Sequence, residues 1–255
     1  MQTNILRTKI DNAVKEGRKA LIPFVPAGYP ALERFWDIIF ELDATGADII
    51  EIGIPFSDPV ADGPVVEKAS IRCLEQGVSL SWLMEGLGKH RKNIRAGIVL
   101  MGYFNPFLQF GLTRLAELSR ETGANGLIIP DLILEEASCH RQTLAAGKLS
   151  LVPLVGLNTP EARMHCYAEH DPDFVYLVSV LGTTGTRAGK AQLLRSKLQE
   201  VRKCFSCPVA LGFGLSSRDQ LDSIAHLVDA VVFGSALIEH IDQGKSPGDF
   251  MKAWL

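Results

Sequence analysis

The chain has 255 residues, 47% hydrophobic and 22% charged, with 26 Lys and Arg against 29 Asp and Glu and a formal net charge of −3. That usage excludes a disordered chain, and so even a balance lacks the basic footprint of a nucleic-acid binder. The Gly and Pro residues follow no fixed period, no apolar run approaches the roughly 18 residues of a membrane span, and the polar start Met1-Gln2-Thr3-Asn4 lacks a signal-peptide core. Five scattered cysteines, Cys73, Cys139, Cys166, Cys204 and Cys207, make an odd count that suits reduced thiols and a cytoplasmic location.

Segment Asn4–Glu16 reads as a helix that caps the bottom of the fold. Eight strand-like runs then come in order: Ala20–Val25, Ile49–Gly53, Gly97–Tyr103, Leu127–Asp131, Leu151–Val155, Phe174–Val180, Val209–Gly214 and Ala230–Gly234. Between most of them lie amphipathic stretches. In Ala31–Ala44, for example, Phe35, Ile38, Ile39 and Leu42 share one helical face. Thr45-Gly46-Ala47-Asp48 and Thr122-Gly123-Ala124-Asn125 both precede a strand, as a glycine C-cap and αβ turn would. Strands alternating with helices imply βαβ units and a parallel sheet. Eight such units in one chain of this length fit a single (β/α)8 TIM barrel over residues 1–255 with an extra N-terminal helix; a doubly wound open sheet is the alternative.

In a barrel, chemistry sits at the carboxyl ends of the strands. No lysine falls there, which disfavours a Schiff base. His90, His140, His165, His170, His226 and His240 read as helix or loop positions, and Cys204-x-x-Cys207 has no partner pair at metal-ligand spacing, so no metal site is expected. Carboxylates remain. Glu51 lies between Ile50 and Ile52 in the second strand, so it faces the side opposite to theirs, where an unpaired charge is costly. The alternative is a buried Glu paired to a loop donor. The loop Phe56-Ser57-Asp58-Pro59-Val60-Ala61-Asp62-Gly63-Pro64 is held extended by its prolines and brings Asp58 and Asp62 to the mouth, where Asp62 is a candidate reactive group or a helix cap.

Opposite, the Gly/Thr-rich run Leu181–Gly189, the end of strand seven at Gly212-Phe213-Gly214 and the end of strand eight at Gly234-Ser235 offer backbone amides for a phosphate. Phe24, Tyr103, Ile128 and Tyr176 are placed to line a flat apolar pocket, or to fill the core.

The stretch Glu51-Ile-Gly-Ile-Pro-Phe-Ser-Asp-Pro-Val-Ala-Asp-Gly-Pro64 resembles the signature of the tryptophan synthase alpha chain family. The resemblance runs along the whole chain, through Ala27-Gly28-Tyr29-Pro30, Pro130-Asp131-Leu132, Gly182–Arg187 and Gly212–Gly214. It implies a (β/α)8 barrel that cleaves indole-3-glycerol phosphate to indole and glyceraldehyde 3-phosphate. It also implies a beta chain partner in an α2β2 assembly, with pyridoxal phosphate on the beta chain and no cofactor on this one. By motif, Glu51 and Asp62 match the catalytic pair. Gly185, Gly214, Gly234 and Ser235 match the phosphate site, and Phe24, Tyr103 and Tyr176 match the indole pocket. Thr184 matches a loop residue that closes near Asp62, and Ile128 and Phe213 complete the substrate-contacting set. Ile133 stands where many members have proline, and Val155–Pro160 departs from the usual pattern. Among its apolar neighbours Glu51 is expected to hold a proton near neutral pH, while Asp62, on a wetter loop, is expected to be ionised.

Overall fold

The β-branched runs pair side by side as parallel strands. The computed structural model of the chain describes residues 5–179, 187–212, 221 and 223–254. Helix α1 (Ile5–Lys15) leads to β1 (Ala20–Pro26), α2 (Leu32–Ala44) and β2 (Ile49–Gly53). Two helices follow, α3 (Pro64–Glu75) and α4 (Leu80–His90), before β3 (Gly97–Met101), and two more, α5 (Phe104–Phe110) and α6 (Leu112–Thr122), before β4 (Gly126–Ile128). Then come α7 (Leu134–Ala146), β5 (Ser150–Leu151), β6 (Leu154–Gly156), α8 (Glu161–Ala168), β7 (Val175–Val178), α9 (Arg187–Cys204), β8 (Val209–Gly212) and β9 (Ala230–Phe233). The described chain ends in α10 (Ser235–Asp242) and α11 (Pro247–Lys252).

The strand order β5-β4-β3-β2-β1-β9-β8-β7-β6 is that of a barrel cut at one point. The cut falls inside Leu151–Val155, expected as one strand and observed as β5 and β6. Pro153 has no N–H to donate, so the ladder breaks there. The chain itself bridges the cut: Val152 N–H bonds Leu127 O (2.9 Å) on one side, and Pro153 O accepts from Tyr176 N–H (3.0 Å) on the other. The two edges of the sheet are therefore consecutive residues of one bent strand, and the sheet closes on itself as a (β/α)8 barrel. The paired helices after β2 and β3 interrupt the simple one-helix alternation that the sequence suggests.

The apolar face of α2 packs as its spacing dictates, with Phe35, Ile38, Ile39 and Leu42 all buried. Gly46 (φ +97°) and Gly123 (φ +77°) carry the positive φ that the two similar helix exits need. Helix α1 seals the amino end of the barrel. Its fully buried Leu6 fills the space left by Gly97 and Gly126, the first residues of β3 and β4. Beside it Arg18 donates to both oxygens of Asp48 (2.7 and 2.9 Å), and Asp48 also accepts the Leu21 N–H (2.9 Å). The open end is thus the opposite, carboxyl end of the strands, where barrel enzymes carry their chemistry. Among the described residues no helix is long and apolar enough to cross a membrane.

Candidate active site

Glu51 stands in register with Phe24 of β1 and Val99 of β3. Strand alternation turns it away from Ile50 and Ile52 and into the barrel, where it is 1% exposed. Both carboxyl oxygens are buried with no hydrogen-bond partner among the described residues. Burial raises this carboxyl from 4.5 to about 8, and the nearby charge of Asp62 adds to the shift. The alternative of a Glu paired to a loop donor finds no donor among the described residues.

Asp62 comes from the loop between β2 and α3. It is half-buried, against the near-complete burial of Glu51. Burial raises its carboxyl too; a hydrogen bond from the Tyr103 hydroxyl opposes that rise, and the charge of Glu67 adds to it. Tyr103 does more than line a wall. It sits just before α5, its hydroxyl accepts the Ala61 N–H (2.9 Å), and its ring lies 5.4 Å from that of Phe56. One buried side chain therefore fixes both the backbone and the carboxyl of the Asp62 loop. Asp58, by contrast, is exposed and holds the Ser57 hydroxyl.

Glu51 and Asp62 face one cavity of about 20 Å³, together with Phe24, Tyr176 and Gly234. Val66, Met101 and Val232 close it. Strand-end positions alone do not single out these three, although Val232 shares the strand parity of Gly234, and Met101 that of Val99. A second hollow of about 10 Å³ lies beside it, lined by Tyr103, Gly53 and Ile54, and again by Phe24, Asp62, Val66 and Met101. Tyr103 thus belongs to the Asp62 side and Tyr176 to the Glu51 side. Ile128 is buried opposite Met101 in the β3–β4 register and lines neither hollow. Two glycines make room for the rings. A Cβ at Gly53 would come 2.6 Å from the Phe24 ring, and one at Gly212 would collide with the Tyr176 hydroxyl.

At the end of β9, Gly234 precedes the first turn of α10. Its carbonyl accepts from Leu237 (3.0 Å) and Ile238 (3.1 Å). The amides of Ser235 and Ala236, one turn too early for a partner within the helix, point off its amino end. Thr184, Gly185, Phe213 and Gly214 lie outside the described residues.

A closed parallel barrel with two unlike carboxyls converging at the carboxyl ends of its strands defines an enzyme-type (β/α)8 barrel. A sequence profile of the family "Tryptophan synthase alpha chain" matches residues 10–252. The tryptophan synthase alpha chain of Solidesulfovibrio magneticus is 55% identical over 100% of this chain and 99% of its own length. That of Maridesulfovibrio salexigens is 54% identical over all of both. A solved chain of Mycobacterium tuberculosis tryptophan synthase superposes with a TM-score of 0.87 at 30% identity, covering 100% of each chain. The chain belongs to the tryptophan synthase alpha chain family, and is an enzyme subunit of tryptophan biosynthesis.

Proposed function

We propose that this chain cleaves indole-3-glycerol phosphate to indole and glyceraldehyde 3-phosphate by a retro-aldol reaction, with no Schiff base, metal or cofactor of its own. The observation that carries the reading is Glu51: buried, raised to about 8, and sharing a cavity with Asp62. A protonated Glu51 delivers its proton to C3 of the indole ring, and the ring nitrogen takes up the positive charge. Asp62, ionised on its half-buried loop, accepts the ring N–H and stabilises that charge. The Glu51 carboxylate then removes the proton of the hydroxyl on the carbon attached to the ring. The carbon–carbon bond breaks, its electron pair returns to the ring, and the carbon leaves as the aldehyde. Glu51 ends as it began, protonated.

Phe24 and Tyr176 flank the ring in this reading, with Tyr103 on the Asp62 side. The amides at the start of α10, after Gly234 and at Ser235, hold the phosphate together with Gly185 and Gly214. Thr184 and Phe213 complete the proposed substrate set, and Ile128, which lines neither hollow, supports Met101 from the next strand. A beta chain carrying pyridoxal phosphate receives the indole in an α2β2 assembly. Val60, Leu108 and Ile133 support that docking: they come after β2, β3 and β4 around the mouth and are 82%, 49% and 51% exposed. The whole of 1–255 acts as one barrel domain in the cytoplasm.

Glu51→Gln and Asp62→Asn test the reading. Each should lower indole release by about 10²–10⁴-fold, the usual contribution of a general acid–base group, and leave binding of a glycerol-phosphate analogue intact. Near-normal cleavage by Glu51→Gln, measured alone and with added beta chain, would show the acid–base assignment to be wrong.

A further inference from the structure

On the outer wall of the barrel, away from the mouth, α8 packs against α9. Glu161 and His165 are four residues apart on α8 and so share a face. Cys204 is the last residue of α9. The His165 Nε2 stands 3.8 Å from the Cys204 Sγ and 3.7 Å from a Glu161 carboxylate oxygen, and the three donor atoms all lie within 4.8 Å of one another. We propose that Glu161, His165 and Cys204 form a binding site for a zinc-type divalent cation.

The spacing carries the proposal. Zinc binds sulfur at about 2.3 Å, imidazole nitrogen at about 2.0–2.1 Å and carboxylate oxygen at about 2.0–2.2 Å in a tetrahedron. Those lengths set the N···S and N···O edges of the tetrahedron at about 3.4–3.6 Å. The two edges through His165 are within a few tenths of an ångström of that. A thiolate, an imidazole and one carboxylate suit zinc and disfavour magnesium or calcium, which want oxygen throughout. Glu161 and His165 are 68% and 57% exposed, so an ion reaches the site from solvent and a water fills the fourth position. The nearby cation does not hold the place, since Lys197 Nζ is engaged by Thr159 O and by Glu200.

The pair Cys204-x-x-Cys207 does not act together. Cys207 is buried among Arg7, Asp171 and Asp173, whereas the neighbours of Cys204 include Glu161, Lys197 and Lys203. The ion therefore clips α8 to α9 rather than closing the four-residue motif.

The test uses the reduced full-length chain, titrated with Zn²⁺ against a chromophoric chelator and with Co²⁺ as the spectroscopic probe. One ion per chain is expected, with a thiolate-to-cobalt charge-transfer absorption that Zn²⁺ displaces. Cys204→Ser and His165→Ala should abolish that absorption and weaken Zn²⁺ binding roughly tenfold or more; Glu161→Gln should weaken it less. Cys166→Ser, an exposed thiol beside His165, should change nothing. Metal-free circular dichroism shows that each variant is folded, and if one ligand variant fails to fold, the other decides. Absence of stoichiometric binding, binding that survives Cys204→Ser or His165→Ala, or loss of binding with Cys166→Ser would overturn the proposal.

Discussion

The raised Glu51 carboxyl makes folding itself depend on pH, and Glu51→Gln isolates that dependence. In the folded chain the group titrates near 8, while in the unfolded chain it returns to about 4.5. Below pH 4.5 both states hold the proton and Glu51 costs nothing by linkage. Between 4.5 and about 8 the folded state keeps a proton that the unfolded state has lost, so stability falls as pH rises. Over that window the loss integrates to about 5 kcal/mol, at about 1.4 kcal/mol per pH unit. Glutamine has the same shape and does not titrate. It also leaves an unpaired amide in the cavity, but that cost is independent of pH. Urea unfolding of both proteins at pH 5, 6, 7, 8 and 9 gives a difference in which the titrations of groups that do not sense Glu51 cancel. The variant should gain on the parent steadily from pH 5 to 8 and level off beyond. The same protonation should appear in catalysis as a fall in the kcat/KM for cleavage above about pH 8. A stability difference that stays flat across the series would mean that Glu51 is ionised in the fold at neutral pH, and the argument for a neutral acid would fail.

Tyr103→Phe removes the hydroxyl that accepts the Ala61 N–H and bonds Asp62; a stability loss of about 0.5–1.5 kcal/mol in urea is expected, with the alkaline shift of the Asp62 carboxyl visible by NMR titration. Gly212→Ala drives a methyl into the Tyr176 hydroxyl; overpacking of this kind costs about 1–3 kcal/mol, read as a lowered thermal midpoint, and the displaced ring should weaken binding of an indole analogue. Leu6→Ala empties the plug over Gly97 and Gly126, with an expected loss of about 2–5 kcal/mol by chemical denaturation and no change in the pH dependence attributed to Glu51.

What the chain discloses unaided is what periodicity controls. The alternation of apolar runs with amphipathic stretches places every barrel strand, and the period of two points Glu51 inward between Ile50 and Ile52. The break at Pro153 is open to the same logic, since proline lacks the donor a ladder needs, but the apolar run Leu151–Val155 outweighs it. Ile128 shows the limit of reading a pocket from strand ends: it is buried, yet Met101 across the register takes the lining position. Tyr103 is legible as a mouth residue, but its hold on Ala61 and Asp62 depends on how the loop after β2 folds over β3, which no local pattern encodes. Glu161, His165 and Cys204 meet only because α8 packs on α9; the i,i+4 spacing of the first two is visible, and the third lies 39 residues on from His165.

Under the proposed reaction, the two hollows explain how one site could keep an acid neutral and still receive a polar substrate. Glu51 is buried at a space of only about 20 Å³ with mostly apolar walls, and that burial keeps its proton on. A bicyclic ring needs far more room than that. The walls between the two hollows are Phe24, Val66, Met101 and Asp62, common to both. Of these Met101 has the most adaptable side chain, and Phe24 has a ring laid over Gly53, where no Cβ stands in its way. On the proposed reading a shift of those two would join the hollows into one slot, with Glu51 on one wall and Asp62, steadied by Tyr103, on the other. In the proposed reaction the ring itself would then renew the apolar surroundings of Glu51, and the proton would be retained until C3 lies within reach.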